Sequence, residues 1–259
     1  MGGAMLAGWL DRGLLPSQVL IQEPHLTGAA LELAQRRGIV ARATFGSETP
    51  PPAVIVVAVK PQVIDEVFPA LAKLAGPETV VVSIAAGKTI ASFERYLPAG
   101  AAVVRAMPNT PAAIGRGITG AVANSHTSAA QRANCEALLG AVGEVVWVPS
   151  EDLIDAVTAV SGSGPAYVFL LAEALAEAGA AIGLDPATAK RLAIATVSGA
   201  GELMHQSGIE PTTLRQNVTS PGGTTAAALN VLMRDGDGLR ELMLEAVQAA
   251  QKRGRELGR

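Results

Sequence analysis

The chain has 259 residues, a hydrophobic fraction of 49% and a formal charge of −3 at pH 7, which gives one or two domains ample core. Its pI near 5.7 and an aromatic content of only 3% argue against a basic nucleic-acid surface and against base stacking. A single cysteine, Cys135, allows no internal disulfide, and His25, His126 and His205 lack metal-ligand spacing. A cytoplasmic protein without a metal site is expected.

The longest apolar run, 166–182, carries Glu173 and Glu177, so no stretch is read as reaching membrane-span length. The N-terminus lacks the pattern of a signal peptide.

The first half alternates strand and helix. Residues 2–12 read as a short helix closed by Gly13, 19–22 as a strand, and 29–37 as a helix ended by Gly38. Ala53-Val-Ile-Val-Val-Ala-Val59 is a β-branched apolar run, expected as a parallel strand buried on both faces. Helices follow at 63–74 and 90–97, strands at 79–84 and 101–105, a helix at 128–139 and a closing strand at 145–148. This order predicts an α/β fold, a Rossmann-type doubly wound sheet, over 1–149.

From residue 150 to 259 only helices are expected: 152–160, 166–182, 187–204, 225–232 and 239–257. The helix from Ala166 is apolar nearly all round, which calls for burial on every side, and Ser198-Gly-Ala-Gly201 permits close helix packing. A second subunit is expected to complete this core, making the protein a homo-oligomer.

A doubly wound domain is expected to open with a strand, Gly-x-Gly-x-x-Gly and a helix. This chain opens at the helix, with Met1 and Gly2 reading as the end of the fingerprint and Gly2 as its third glycine. The first strand is expected upstream, in a longer natural protein; without it, its two neighbours would keep unpaired edges.

Four further stretches carry chemistry. Glu23 lies 21 residues after Gly2, where an acid bonds the adenosine ribose; a loop glutamate is the plain alternative. Ala58-Val59-Lys60-Pro61 ends the long strand at the ligand edge of the sheet. Met107-Pro-Asn-Thr-Pro111 follows another strand there, with Asn109 and Thr110 held between prolines to meet a nicotinamide or its ribose. Ser161-Gly-Ser163-Gly-Pro breaks the helical pattern and is expected to wall a substrate pocket.

A fifth is Val218-Thr-Ser-Pro-Gly-Gly-Thr-Thr225. Pro221 fixes one backbone angle, while Gly222 and Gly223 permit positive φ and close approach by a ligand. The helix behind them presents free N–H groups, and the hydroxyls of Thr219, Ser220, Thr224 and Thr225 complete a cup of donors that favours an anion. With no cationic side chain in the five residues after Gly223, the cup suits a carboxylate on a compact molecule better than a polyphosphate.

Ala-Val-Lys-Pro at 58–61, Met-Pro-Asn-Thr-Pro at 107–111, Ser-Gly-Ser-Gly-Pro-Ala-Tyr at 161–167 and Thr-Ser-Pro-Gly-Gly-Thr-Thr at 219–225 together resemble pyrroline-5-carboxylate reductase. The resemblance implies reduction of 1-pyrroline-5-carboxylate to L-proline with NADP or NAD as cofactor, the last step of proline synthesis. It implies an N-terminal Rossmann domain and a C-terminal all-α dimerisation domain, with homodimers that assemble into rings such as a decamer. It also implies that the Thr225 hydroxyl bonds the ring nitrogen; the substrate carboxylate is expected in the 219–225 cup, held by Ser220 and the Gly223–Thr225 amides. Reduction of another cyclic imine, a β-hydroxyacid dehydrogenase and a non-catalytic truncated homologue are the alternatives. The helices from Asp152 to Ile182 contain no lysine base for hydroxyacid oxidation.

Overall fold

The computed structural model describes residues 1–46 and 48–258 and divides into two compact units, Met1–Gly162 with Ala250–Arg259, and Ser163–Ala249. The expected boundary at 149/150 therefore differs from the compact division at Gly162/Ser163. The first unit runs α1 (Gly2–Asp11), β1 (Ile21–Gln22), α2 (Gly28–Arg36), β2 (Ala41–Arg42), β3 (Val54–Val57), α3 (Ile64–Ala72), β4 (Val80–Ser83) and α4 (Ile90–Glu94). It continues with β5 (Ala102–Met107), β6 (Gly117–Ala123), α5 (Ala129–Leu139), β7 (Gly143–Trp147) and α6 (Ile154–Val157).

The described strands form two sheets. One is the parallel pair β1–β2; the other has the order β3-β4-β5-β6-β7, parallel except where β5 meets β6. β4 explains why helices cover both faces. Its side chains alternate: Val80 and Val82 join Met5, Cys135 and Leu139 of α1 and α5, while Val81 joins Ile64, Phe68 and Phe93 of α3 and α4. Phe68 and Phe93 meet edge to face at 4.9 Å, a preferred aromatic geometry.

Two expectations change here. β3 borders its sheet, so Ile55 and Val57 are buried but Val54 and Val56 only half-buried; it is not buried on both faces. β6 lies in a stretch not expected to be a strand. Its Gly117 and Gly120 dilute the β signal, and each marks a close approach: a Cβ on Gly120 would come 2.4 Å from Val157 of α6.

The second unit holds α7 (Gly164–Ala181), α8 (Pro186–Ser207), α9 (Pro211–Asn217), α10 (Thr224–Leu232) and the first turns of α11 (Leu239–Leu257). α9 replaces what reads in sequence as a polar segment. Between α6 and α7 the chain does not leave helical geometry. Thr158–Gly162 form a π-turn and Ser163 keeps right-handed helical angles, so the expected break is a widened helical turn. The run Glu151–Ala181 is therefore 31 residues long and, by length and composition, could cross a membrane, which corrects the expectation that no stretch has that length.

Only Ala189 and Ala193 are buried among the described residues of this unit's helices. Phe169 and Leu170 of α7 are each 62% exposed. Among the described residues, no other element comes within 4 Å of a Cβ built on Gly199 or Gly201 of α8. The all-round apolar helix does leave its faces bare in the single chain.

Candidate active site

In the first unit, parallel pairing aligns Val57, Ser83 and Arg105 across β3, β4 and β5. The segments following these strands, Ala58–Pro61, Ile84–Gly87 and Pro108–Thr110, thus share the C-terminal edge, where open α/β sheets bind ligands. The start of α1 joins them. It carries no side-chain cap, and a Cβ on Gly2 would lie only 3.1 Å from that of Ala58. Backbone N–H groups of the first turn, after Met1, therefore open beside the end of β3, a cradle that fits the pyrophosphate of a dinucleotide.

The side chains at this edge are not all free. Lys60 is exposed and forms no ion pair among the described residues. Lys88, just past Gly87, is instead engaged 2.8 Å from Asp65, which also meets Arg95. The hydrogen bond from Lys88 leads in holding the Asp65 carboxyl below its ordinary value, against a smaller opposing effect of desolvation. Thr110 is exposed, but Asn109 is buried and its Oδ1 accepts the Ile118 N–H at 2.9 Å. The expected free acceptor on Asn109 is thus used to start β6, and its Nδ2 is the polar group left. Val59 and Pro61 are half-buried. Glu23 directly follows β1, with Oε1 accepting the His25 N–H at 2.9 Å.

The Ser83–Gly87 loop was not singled out by sequence, although small residues leaving a buried strand at this edge are a readable signal. Ser83 is fully buried and its Oγ accepts the Ala85 N–H. A buried arginine was missed too. Arg105 Nη1 lies 3.0 Å from Glu151 and Nη2 3.8 Å from Asp155, its side chain only 5% exposed. Glu151 also accepts the Ile90 N–H at the start of α4. This network joins β5 to the segment leading to Ser161, within the compact unit that extends to Gly162. Ser161 donates its hydroxyl to Val157 O at 2.9 Å, within the helical turn.

In the second unit, Ser220–Gly223 form a turn closed by Gly223 N–H to Ser220 O at 3.1 Å, with Gly222 at φ +69°. That left-handed angle needs glycine. Gly223 is also required by space, because a Cβ there would come 2.5 Å from Ser220 Oγ. α10 then opens at Thr224 with no side-chain cap. Two expected donors drop out. Thr219 gives its hydroxyl to Arg215 O at 2.6 Å, ending α9, and the Gly223 amide closes the turn. The hydroxyls of Ser220, Thr224 and Thr225 and the Thr224 and Thr225 amides remain. A neighbouring cavity of about 320 Å³ lies between α9 and α10, lined by Arg215, Thr219, Ala226 and Met233.

Known proteins share this organisation. A family model for pyrroline-5-carboxylate reductase dimerisation matches residues 151–257, and one for coenzyme F420-dependent NADP oxidoreductases matches residues 1–87. The chain is 43% identical to pyrroline-5-carboxylate reductase of a Synechocystis species, over 100% of this chain and 95% of that protein. It is 41% identical to the Pseudomonas aeruginosa enzyme, over 99% and 93%. Among solved structures, the pyrroline-5-carboxylate reductase of Coxiella burnetii superposes with a TM-score of 0.90 at 37% identity, covering 99% of this chain and 94% of that one. The Plasmodium falciparum pyrroline carboxylate reductase, solved with NADP bound, gives 0.81 at 26% identity over 100% and 95%. This chain belongs to the pyrroline-5-carboxylate reductase family.

Proposed function

We propose that this protein reduces 1-pyrroline-5-carboxylate to L-proline in the cytoplasm, using NADPH or NADH. The observation that carries the reading is the uncapped start of α10 behind the Ser220–Gly223 turn, with the hydroxyls of Ser220, Thr224 and Thr225 unengaged among the described residues. Such a donor cluster matches one carboxylate on a small ring. Ser220 and the amides of Thr224 and Thr225 hold that carboxylate, and Gly222 and Gly223 let it approach. Ser161 and Ser163 contribute to substrate binding, Ser161 through its oxygen as acceptor. The Thr225 hydroxyl bonds the ring nitrogen.

The bound dinucleotide supplies hydride to the imine carbon. Met1 and Gly2 offer backbone N–H groups to its pyrophosphate, and Glu23 takes the adenosine ribose. Ala58, Val59, Lys60, Pro61, Asn109 and Thr110 border the nicotinamide end. A cyclic imine protonates readily near neutral pH, so placement and charge complementarity supply most of the acceleration. Residues 1–149 carry the coenzyme part of this function and 150–259 the dimerisation and substrate part.

The bare faces of α7 and α8 are covered by a second copy, giving a homodimer able to assemble into a decamer. The membrane-length run belongs to the same surface, since the dimerisation family model spans it.

The test is NADH and NADPH oxidation in the presence of 1-pyrroline-5-carboxylate. Thr225→Ala should lower kcat about 10–100-fold, the worth of one hydrogen bond to a charged group, with little change in coenzyme binding. Unchanged kcat would remove Thr225 from the mechanism, and no turnover by folded protein with either coenzyme would sink the assignment.

A further inference from the structure

We propose that Glu23 makes this protein prefer NADH over NADPH, an inference that rests on the reductase reading and concerns the adenosine end of its coenzyme site. Glu23 stands directly past the last residue of β1, at the C-terminal end of a parallel strand pair, the end at which open α/β sheets bind ligands. Its carboxylate is anchored there: Oε1 accepts the His25 N–H at 2.9 Å, and the residue is half-buried. A carboxylate so placed accepts from ribose hydroxyls and repels a 2′-phosphate.

An NADPH site also needs a fixed cation for that phosphate. The turn Glu23-Pro-His-Leu-Thr-Gly28 holds a histidine but no lysine or arginine. Arg42 of β2 is the nearest arginine along the ladder, but it pairs in register with Gln22. Its side chain therefore shares the face of Gln22, whereas Glu23, one residue on, leaves from the opposite face. The Arg42 guanidinium lies 5.5 Å over the Phe45 ring. Arg37 is held 2.6 Å from Asp11 at the C-terminal ends of α1 and α2, away from the helix starts. Among the described residues, no ion pair neutralises Glu23.

The experiment measures binding of NADH and of NADPH to the full chain by nicotinamide fluorescence, beside kcat/KM for each with 1-pyrroline-5-carboxylate. NADH is expected to bind at least ~10-fold more tightly, because apposed like charges are strongly unfavourable. The difference should lie in KM rather than kcat. Adenosine 5′-phosphate should also displace NADH better than its 2′-phosphorylated counterpart. Glu23→Gln keeps an oxygen for the His25 N–H while removing the charge, so the turn persists and the ratio should fall by about the same factor. Adding His25→Arg should tip the preference to NADPH.

Tighter NADPH binding by the unaltered protein, or an unchanged ratio in Glu23→Gln, overturns the inference. Selective NADH binding without turnover would sink the reductase reading and leave the role of Glu23 standing. Binding of neither nucleotide overturns both.

Discussion

Arg105→Met tests whether the buried network holds the first unit together. Breaking a buried ion pair typically costs 3–5 kcal/mol. Two features of Arg105 reduce that figure. Glu151 and Asp155 are 29% and 19% exposed, so water compensates part of their charge once the arginine is gone. The Nε of Arg105 is buried without a partner, and methionine removes that standing penalty of about 1 kcal/mol. A net loss of about 2–3 kcal/mol follows. In thermal unfolding at fixed protein concentration, that corresponds to a fall of about 5–10 °C for a chain of this size. Glu151→Gln keeps an oxygen for the Ile90 N–H, so the double-mutant cycle with Arg105→Met isolates the charge pair, with a coupling of about 2 kcal/mol expected. A loss under about 1 kcal/mol with coupling near zero would show that β5 and the 151–162 segment are held by apolar packing alone.

The remaining predictions concern packing and assembly. Gly8→Ala in α1 places a Cβ 2.7 Å from Val142 Cγ1 and 2.9 Å from the Ala141 carbonyl; because a backbone oxygen cannot rotate aside, a loss of about 1–3 kcal/mol in denaturant unfolding is expected. Gly143→Ala is more severe, since its Cβ would overlap Gly117 O across the β6–β7 ladder at φ +150°, and soluble yield should fall sharply. Burial pushes the Cys135 thiol up to about 11. From about pH 9 upward the unfolded chain ionises before the folded one, so the stability of the parent relative to Cys135→Ala should decline as pH rises toward 11; a constant difference would refute the burial. Phe169→Glu on the exposed face of α7 should shift the protein toward monomer in sedimentation, and an unchanged mass would place the subunit interface elsewhere.

Much of the first unit was legible because its strands are dense in β-branched residues: 54–57, 80–83 and 102–107 each stand out between turn residues. β6 did not, because the glycines that let α6, Ala112 and Val142 lie close to it also erase its propensity. The 161–165 stretch misled in the opposite sense. Ser, Gly and Pro there punctuate the sequence like a loop, yet the π-turn absorbs the irregularity and Pro165 stands in the opening residues of α7 directly after it.

The candidate site was legible as positions and illegible as donors. Short hydroxyl and amide side chains near helix ends have backbone acceptors within four residues, and local bonds compete with a ligand for them. Thr219 and Ser161 are taken in this way, and Asn109 Oδ1 is taken by Ile118. No spacing rule separates these from Ser220, Thr224 and Thr225, because the choice depends on whether the preceding carbonyl belongs to a helix that is ending or to a turn that is already closed. α9 ends at Asn217 and leaves Arg215 O for Thr219; the Ser220–Gly223 turn bonds itself through the Gly223 N–H and makes no demand on the Ser220 hydroxyl. The same argument orders the mutants. Thr219→Val should act on stability with kcat retained, and Thr225→Val on kcat with stability retained. Equal effects of the two on turnover would mean that the local hydrogen bond of Thr219 is broken when substrate binds.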